Sequence, residues 1–403
     1  MAGLSLSMGL VALAGLVLSG RGEPYQADLS QQGPPSARSG SAAGAVQDLL
    51  AALEAGDPAG AADLAAEGDG AAREELAAAA TNVRALDLTE LSARYVDEVG
   101  AVSPEGSWTA AVALTWAVAG FDREPARAEV LVDFAGDRER VVITGLGGSD
   151  RISPLWWGQR LAVRRTDTAL VMAAGDDAAS RAQSYLQRVR RAIPVVRRVL
   201  PRWRPSVVME VPASAAGLDA SLDVAEGTYS AIAAVTAQAD GSGRGDAPVR
   251  VFVNPDVTGR LRGAGAQVVI SHELVHVATD AANAEIDPWL LEGFADYVAL
   301  RDIDLRLDVT AARARASVRR SGVPDQLPGT AEFDVSADDL AAAYELAWLV
   351  CVEVAAQVGE QGLVRVYELA SEGESTRAAL AGVGLTPAEV LVAWQERLRK
   401  LAS

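Results

Sequence analysis

Apolar and polar positions change period several times along the chain, and each change predicts a different element. Residues 2–20 (AGLSLSMGLVALAGLVLSG) are uncharged and mostly apolar, as in a signal-peptide core or a short membrane anchor. Residues 21–42 are rich in Gly, Pro, Ser and Gln and show no apolar period, which predicts a linker. Residues 43–83 are Ala-rich with Val46, Leu49, Leu50 and Leu53 at helical spacing, broken at Gly56-Asp57-Pro58. Three runs rich in β-branched and aromatic residues follow at 107–118, 128–134 and 138–146, parted by turn residues, and read as strands.

Helices followed by an antiparallel sheet make a small α+β domain over 43–155. Its outline resembles the cone-shaped nuclear-transport-factor-2-like fold. No group with chemistry stands out in it, so a spacer or assembly role is expected. A second α+β pattern spans 160–403. Strands are predicted at 167–173, 206–211, 228–236 and 249–253, with a helix at 178–199 kinked at Pro194. After Gly263 the pattern is helical to the end, closing with a capping box at Thr386-Pro387-Ala388-Glu389. Eight arginines between Arg181 and Arg204 form a basic stripe, read as a solvated helix face with contact to anionic lipid as the other option. No internal repeat is visible.

Composition narrows the function classes. Half of the chain is apolar and 22% is charged, enough for buried cores. A formal charge of −18 excludes the basic footprint that nucleic acid requires. The single cysteine, Cys351, excludes an internal disulfide and a Cys-based zinc knuckle, and its apolar helical setting makes it core. The apolar start predicts an extracytoplasmic protein, secreted or held at the membrane through its N-terminus. No Lys or Arg precedes the run. Leu18-Ser19-Gly20 resembles the start of a lipoprotein processing site, but Arg21 stands where the lipidated cysteine would be.

Both histidines of the chain lie in Val268-Val269-Ile270-Ser271-His272-Glu273-Leu274-Val275-His276, an H-E-x-x-H pattern inside a run predicted to be helical over 264–281. Residues at i and i+4 share a helix face, so the two imidazoles can hold one ion. Glu273 sits about 100° around the axis from His272, beside such an ion, where a general base would act. Zinc is the expected ion, since imidazoles and a carboxylate suit it and no thiolate is at hand. With no third histidine, the third ligand falls to Glu292 in Asp287-Pro288-Trp289-Leu290-Leu291-Glu292-Gly293-Phe294-Ala295-Asp296-Tyr297. Asp287 as N-cap and Pro288 in the first turn start a helix there. On that helix Glu292 and Asp296 are again i and i+4, so Asp296 can accept the second N–H of a ligating imidazole.

This combination resembles the gluzincin metallopeptidases, whose H-E-x-x-H is followed by a downstream Glu ligand. The nearest match is the Peptidase MA-like group, a broad set of small secreted or membrane-tethered gluzincins. His276-Val277-Ala278-Thr279-Asp280 is similar to the first zinc helix of thermolysin-like enzymes. Trp289-Leu290-Leu291-Glu292-Gly293-Phe294-Ala295 is similar to the W-L-N-E-G-F-A segment of aminopeptidase-N-type enzymes. The resemblance covers about 165–403. The spacing from His276 to Glu292 is shorter than in the aminopeptidase-N type, Leu291 replaces an Asn, and the G-x-M-E-N segment that grips a free amino group is not visible. Aminopeptidase specificity is therefore not implied.

The resemblance implies a catalytic domain with a mixed sheet, the H-E-x-x-H helix and a C-terminal helical subdomain. It also implies a Tyr that stabilises the oxyanion: Tyr344, which opens a long helix 52 residues past Glu292, with Tyr297 and Tyr367 as rivals. It further implies that the edge strand at 228–236 holds an extended substrate, an ordinary sheet strand being the other reading. The expected activity is zinc-dependent hydrolysis of peptide bonds in a peptide or protein substrate. The alternative is a non-catalytic envelope binding protein that keeps a structural zinc site.

Overall fold

A computed structural model describes residues 37–136, 140–148, 151–303, 306–334 and 336–403. The apolar run at 2–20 and residues 21–36 of the expected linker lie outside them. The chain opens with helices α1 (Ser39–Ala55), α2 (Pro58–Ala62) and α3 (Gly70–Leu86). α1 starts within the stretch that composition assigns to the linker, because Ala42, Ala45 and Val46 extend the same buried face as Leu49 and Leu53. Gly56 ends it in the left-handed conformation (φ 57°). The Asp57 carboxylate then caps α2, accepting the amides of Ala59 and Gly60 at 3.1 and 3.0 Å.

Strands β1 (Leu88–Val99), β2 (Ser107–Val118), β3 (Ala126–Gly136) and β4 (Val141–Leu146) form an antiparallel sheet in that order. The sequence pattern does not reveal β1. Its register shifts between Thr89 and Ser92 and between Tyr95 and Asp97, and each shift breaks the two-residue alternation. The short helix α4 (Leu155–Gly158) then buries Trp156 and Trp157.

A five-stranded mixed sheet follows, in the order β5-β6-β7-β9-β8. It comprises β5 (Leu161–Arg165), β6 (Ala169–Ala174), β7 (Val207–Val211), β8 (Ala234–Gln238) and β9 (Val249–Val253). β6, β7 and β9 are parallel; β5 and β8 are antiparallel edges. Helix α5 (Ala178–Val199) joins β6 to β7 as one element running through Pro194. Its arginine-rich face is partly taken up by the fold, with Arg188 donating to Gly263 O at 3.0 Å and Arg198 paired with Asp302 at 2.5 Å. Helices α6 (Ala215–Ser221) and α7 (Pro255–Thr258) are short. β8 begins at Ala234, later than the sequence predicts. The buried Asp219 carboxylate accepts the amides of Gly227 and Tyr229 at 2.7 and 3.0 Å and holds that approach in turns.

The remainder is helical: α8 (Gly263–Thr279), α9 (Pro288–Leu300), α10 (Leu307–Thr310), α11 (Ala312–Ser321), α12 (Leu340–Ser371), α13 (Thr376–Ala381) and α14 (Pro387–Ala402). The capping box at Thr386 is present. α12 bends its path at Gly359 (φ 77°). It is the one helix among the described residues long and apolar enough to cross a membrane, yet half of its apolar window is buried, with Val350, Cys351 and Val354 fully enclosed. It is the core helix of the C-terminal part. The fold is thus α+β, an antiparallel sheet followed by a mixed sheet and C-terminal helices.

Two hydrophobic cores meet at the mixed sheet. Ala169, Val171 and Ala173 of β6 face the core of α5, α8, α9 and α12. Leu170, Met172 and Ala174 face the other way, into the core of α1, α3, β2 and β3 with Trp156 and Trp157. Buried polar groups reinforce the junction. Asn82 of α3 donates to Trp156 O at 2.9 Å and Gln159 O at 2.6 Å. Arg250 of β9 makes a two-pronged pair with Asp122, which follows β2, at 2.7 and 2.5 Å, and both side chains are only 2% exposed.

Candidate metal centre

α8 carries His272, Glu273 and His276 in its buried stretch. It stops at Asp280, which takes the left-handed conformation (φ 53°) that Asp tolerates better than most residues. The chain turns back into α9, whose first turn holds Pro288. Asp287 occupies the N-cap position as its sequence predicts, but its side chain makes no capping bond.

This return brings three ligating atoms together. His272 Nε2 lies 3.0 Å from Glu292 Oε2 and 3.0 Å from His276 Nε2, and His276 Nε2 lies 3.3 Å from Glu292 Oε2. Ligands bound tetrahedrally to one ion at about 2.0–2.1 Å stand about 3.3–3.4 Å apart, so the triangle has nearly the size a zinc ion needs. Three lone-pair atoms packed this closely repel one another unless a cation or protons lie between them. His272, His276 and Glu292 are the group among the described residues that could hold a metal ion.

Asp296 lies where the i, i+4 spacing puts it. Its Oδ1 accepts from His272 Nδ1 at 2.8 Å. A proton fixed on Nδ1 leaves the Nε2 lone pair aimed into the triangle. His276 Nδ1 is buried with no hydrogen-bond partner among the described residues. The field in the centre is strongly negative. Burial opposes charge on His272, but Asp296 and Glu292 outweigh it and hold its pKa well above the usual imidazole value. Burial likewise opposes charge on Glu292, and the two imidazoles outweigh it, holding the carboxyl far below its usual range. A field that favours a proton there also favours a divalent cation.

Glu273 stays out of the triangle. Its Oε2 accepts a 2.7 Å hydrogen bond from Thr236 Oγ1, on the edge strand β8. A cleft of about 310 Å³ opens beside these groups, lined by Val235 and Thr236 of β8, by His272, Glu273 and Glu292, and by Tyr344. The Tyr344 ring lies 6.0 Å from the His272 ring and packs edge-on to Phe333 at 5.4 Å. Burial, and then the charges of Glu292, Glu273 and Asp296, push its pKa far up, so the phenol keeps its proton. The other tyrosines are placed elsewhere. Tyr297 donates to Glu360 at 3.4 Å, and Tyr367 stacks on Phe294 with its hydroxyl 3.0 Å from Thr279. Neither lines the cleft, whereas Tyr229 does.

Two contributors escape the sequence. Thr236 was legible only as part of a strand, because its partner Glu273 lies 37 residues away on another element. Phe333 sits in a single 3-10 turn with no period to mark it.

Comparisons of this chain with family models, with curated proteins and with solved structures find no match.

Proposed function

We propose that this chain is a zinc-dependent hydrolase of peptide bonds, of the gluzincin type and exported or tethered at a membrane. The observation that carries the reading is the 3.0–3.3 Å triangle of His272, His276 and Glu292 with a non-ligating carboxylate, Glu273, at its side facing an open cleft. A zinc ion held by that triangle would supply Lewis acidity and a water of lowered pKa.

The residues of the chain do the rest. Glu273 takes the proton of the attacking water on its carboxylate and passes it to the leaving amine. Tyr344, protonated and facing the same cleft, donates its O–H to the carbonyl oxygen as negative charge develops there. Asp296 keeps the His272 proton on Nδ1, which orients the ring. β8 offers its free edge to an extended substrate. A purely structural metal site has no use for Glu273 or for an open face, which weighs against a non-catalytic binding protein.

The test is metal content by mass spectrometry beside cleavage of a generic peptide library. The wild-type chain should bind one zinc and cleave. Glu273→Gln should keep the zinc and lose about 10²–10⁴-fold in turnover, because an amide cannot accept the proton. Glu292→Ala should lose zinc and activity together. Full zinc occupancy in the Glu292→Ala protein would put the third ligand elsewhere, and native turnover in Glu273→Gln would end the mechanism.

A further inference from the structure

The cleft at the metal centre does not stop at the catalytic half of the molecule. A second hollow of about 610 Å³ shares Tyr229, Val235, Thr236 and Ala282 with it and runs on past Ala237 and Gln238 to Gly241. A third, of about 340 Å³, shares Ile152, Leu222 and Gly241 with the second and ends on Arg127, Ala128 and Glu129 of β3. The three form one groove from the metal centre, along β8, to the sheet of the N-terminal domain.

β8 is the floor of its middle section, and its hydrogen-bonding pattern shows what it can hold. Asn254 N donates to Ala233 O at 2.9 Å and Ala239 N to Pro248 O at 2.7 Å, in register with Val235 opposite Phe252 and Ala237 opposite Arg250. Antiparallel pairing alternates, so the odd-numbered residues bond to β9. Ala234, Thr236 and Gln238 therefore turn their N–H and C=O groups to the open edge. Five residues of strand offer a track of about 17 Å. The far end is tied to that track by hydrogen bonds. Asp240, just past β8, has a fully buried side chain that accepts the amide of Arg127 at 2.8 Å, and Arg244 donates to Pro125 O at 3.0 Å.

We propose that this groove carries one side of an extended, unfolded polypeptide from the metal centre onto β3, so that the N-terminal domain is part of the substrate-binding surface and the chain cuts within long segments rather than at a free terminus. This rests on the hydrolytic reading for the cut but not for the binding. The unpaired main-chain groups of β8 favour an extended backbone of any sequence. The mixed charges at the far end, Arg127 and Arg151 beside Glu129 and Asp223, select no one sign.

Binding can be read without turnover. The full chain bearing Glu273→Gln is titrated with fluorescein-labelled, unstructured peptides of mixed sequence, about 4, 8 and 12 residues long, and followed by fluorescence anisotropy. A few added main-chain hydrogen bonds are worth roughly tenfold, so affinity should rise at least that much from shortest to longest. Arg127→Trp and Glu129→Trp, at exposed groove positions, should remove the gain for the longest peptide alone, with melting temperature unchanged. Equal affinity at all lengths, no binding at all, or a gain that survives in both variants would overturn the proposal. Length-dependent binding in a wild-type chain that cleaves nothing would support the groove and remove only the hydrolytic reading.

Discussion

One proton decides what His272 offers to its surroundings. In the neutral ring, with Nδ1 donating to Asp296, Nε2 keeps its lone pair for the triangle; the opposite tautomer would turn an N–H into it. The placement of His272, His276, Glu292 and Asp296 is legible in the sequence because helical periodicity decides which side chains share a face, and both pairs are spaced i and i+4. Thr236 and Phe333 are not legible, since a bond between strand and helix leaves no local period. Tyr344 was named by resemblance, and its place in the cleft gives it a specific prediction. Tyr344→Phe removes only the oxygen. If the hydroxyl meets the oxyanion, kcat falls about 10–10³-fold with KM little changed, and zinc content and melting temperature stay as they were. Unchanged kinetics on a cleavable peptide would leave Tyr344 as packing and shift attention to Tyr229, which lines the same cleft.

At the scale of elements, the centre depends on how closely α9 lies on α12. Gly293 makes the approach possible. A Cβ there would stand 2.4 Å from Ala347 O and 2.6 Å from Ala347 C, closer than atoms can pack. Because the obstacle is backbone, α9 itself must move, and Glu292 moves with it. Gly293→Ala should therefore cost on the order of 1–3 kcal/mol in a melting experiment, as overpacked cores do, and should weaken zinc binding as well. Normal stability with normal zinc affinity would show that the helices have slack. The elements themselves were legible to differing degrees. α5, α8, α9 and β9 lie where the pattern predicts, since an amphipathic helix or a bounded apolar run states itself. The pattern does not mark β1 or β5 and puts the start of β8 too early, for tertiary reasons: register shifts in β1, an edge strand only partly buried in β5, and turns imposed by Asp219 ahead of β8.

At the scale of the whole molecule, the junction between the two halves holds a buried charge cluster. Burial, aided by Asp122 and opposed by Arg250, pushes the Glu210 carboxyl up to about 7. The unfolded chain releases that proton near the ordinary value of 4.5. Between these values the folded state binds more protons than the unfolded one, so stability falls as pH rises through that window. Glu210→Gln should flatten the decline in unfolding free energy between about pH 5 and 7, by an amount on the order of 2 kcal/mol. An identical pH profile in the variant would mean that Glu210 ionises freely in the fold.

The α+β class was readable from the succession of periods. The way the halves join was not, because alternate residues of β6 serve different cores and an all-apolar strand gives no hint that its two faces have different partners. That sharing has a thermodynamic consequence. A protease cut near Gln159 would not release two independent folded bodies, since each would bare a sheet face or a pair of tryptophans that the other covers. The chain should unfold in a single cooperative transition, with calorimetric and van't Hoff enthalpies in agreement, and limited proteolysis should yield no stable fragment ending near that point. Two resolved transitions would refute this. Otherwise, a destabilising substitution among the tryptophans of α4 lowers the population of chains with the triangle of His272, His276 and Glu292 intact by the same factor as an equally destabilising one beside His276, however far it lies from those residues.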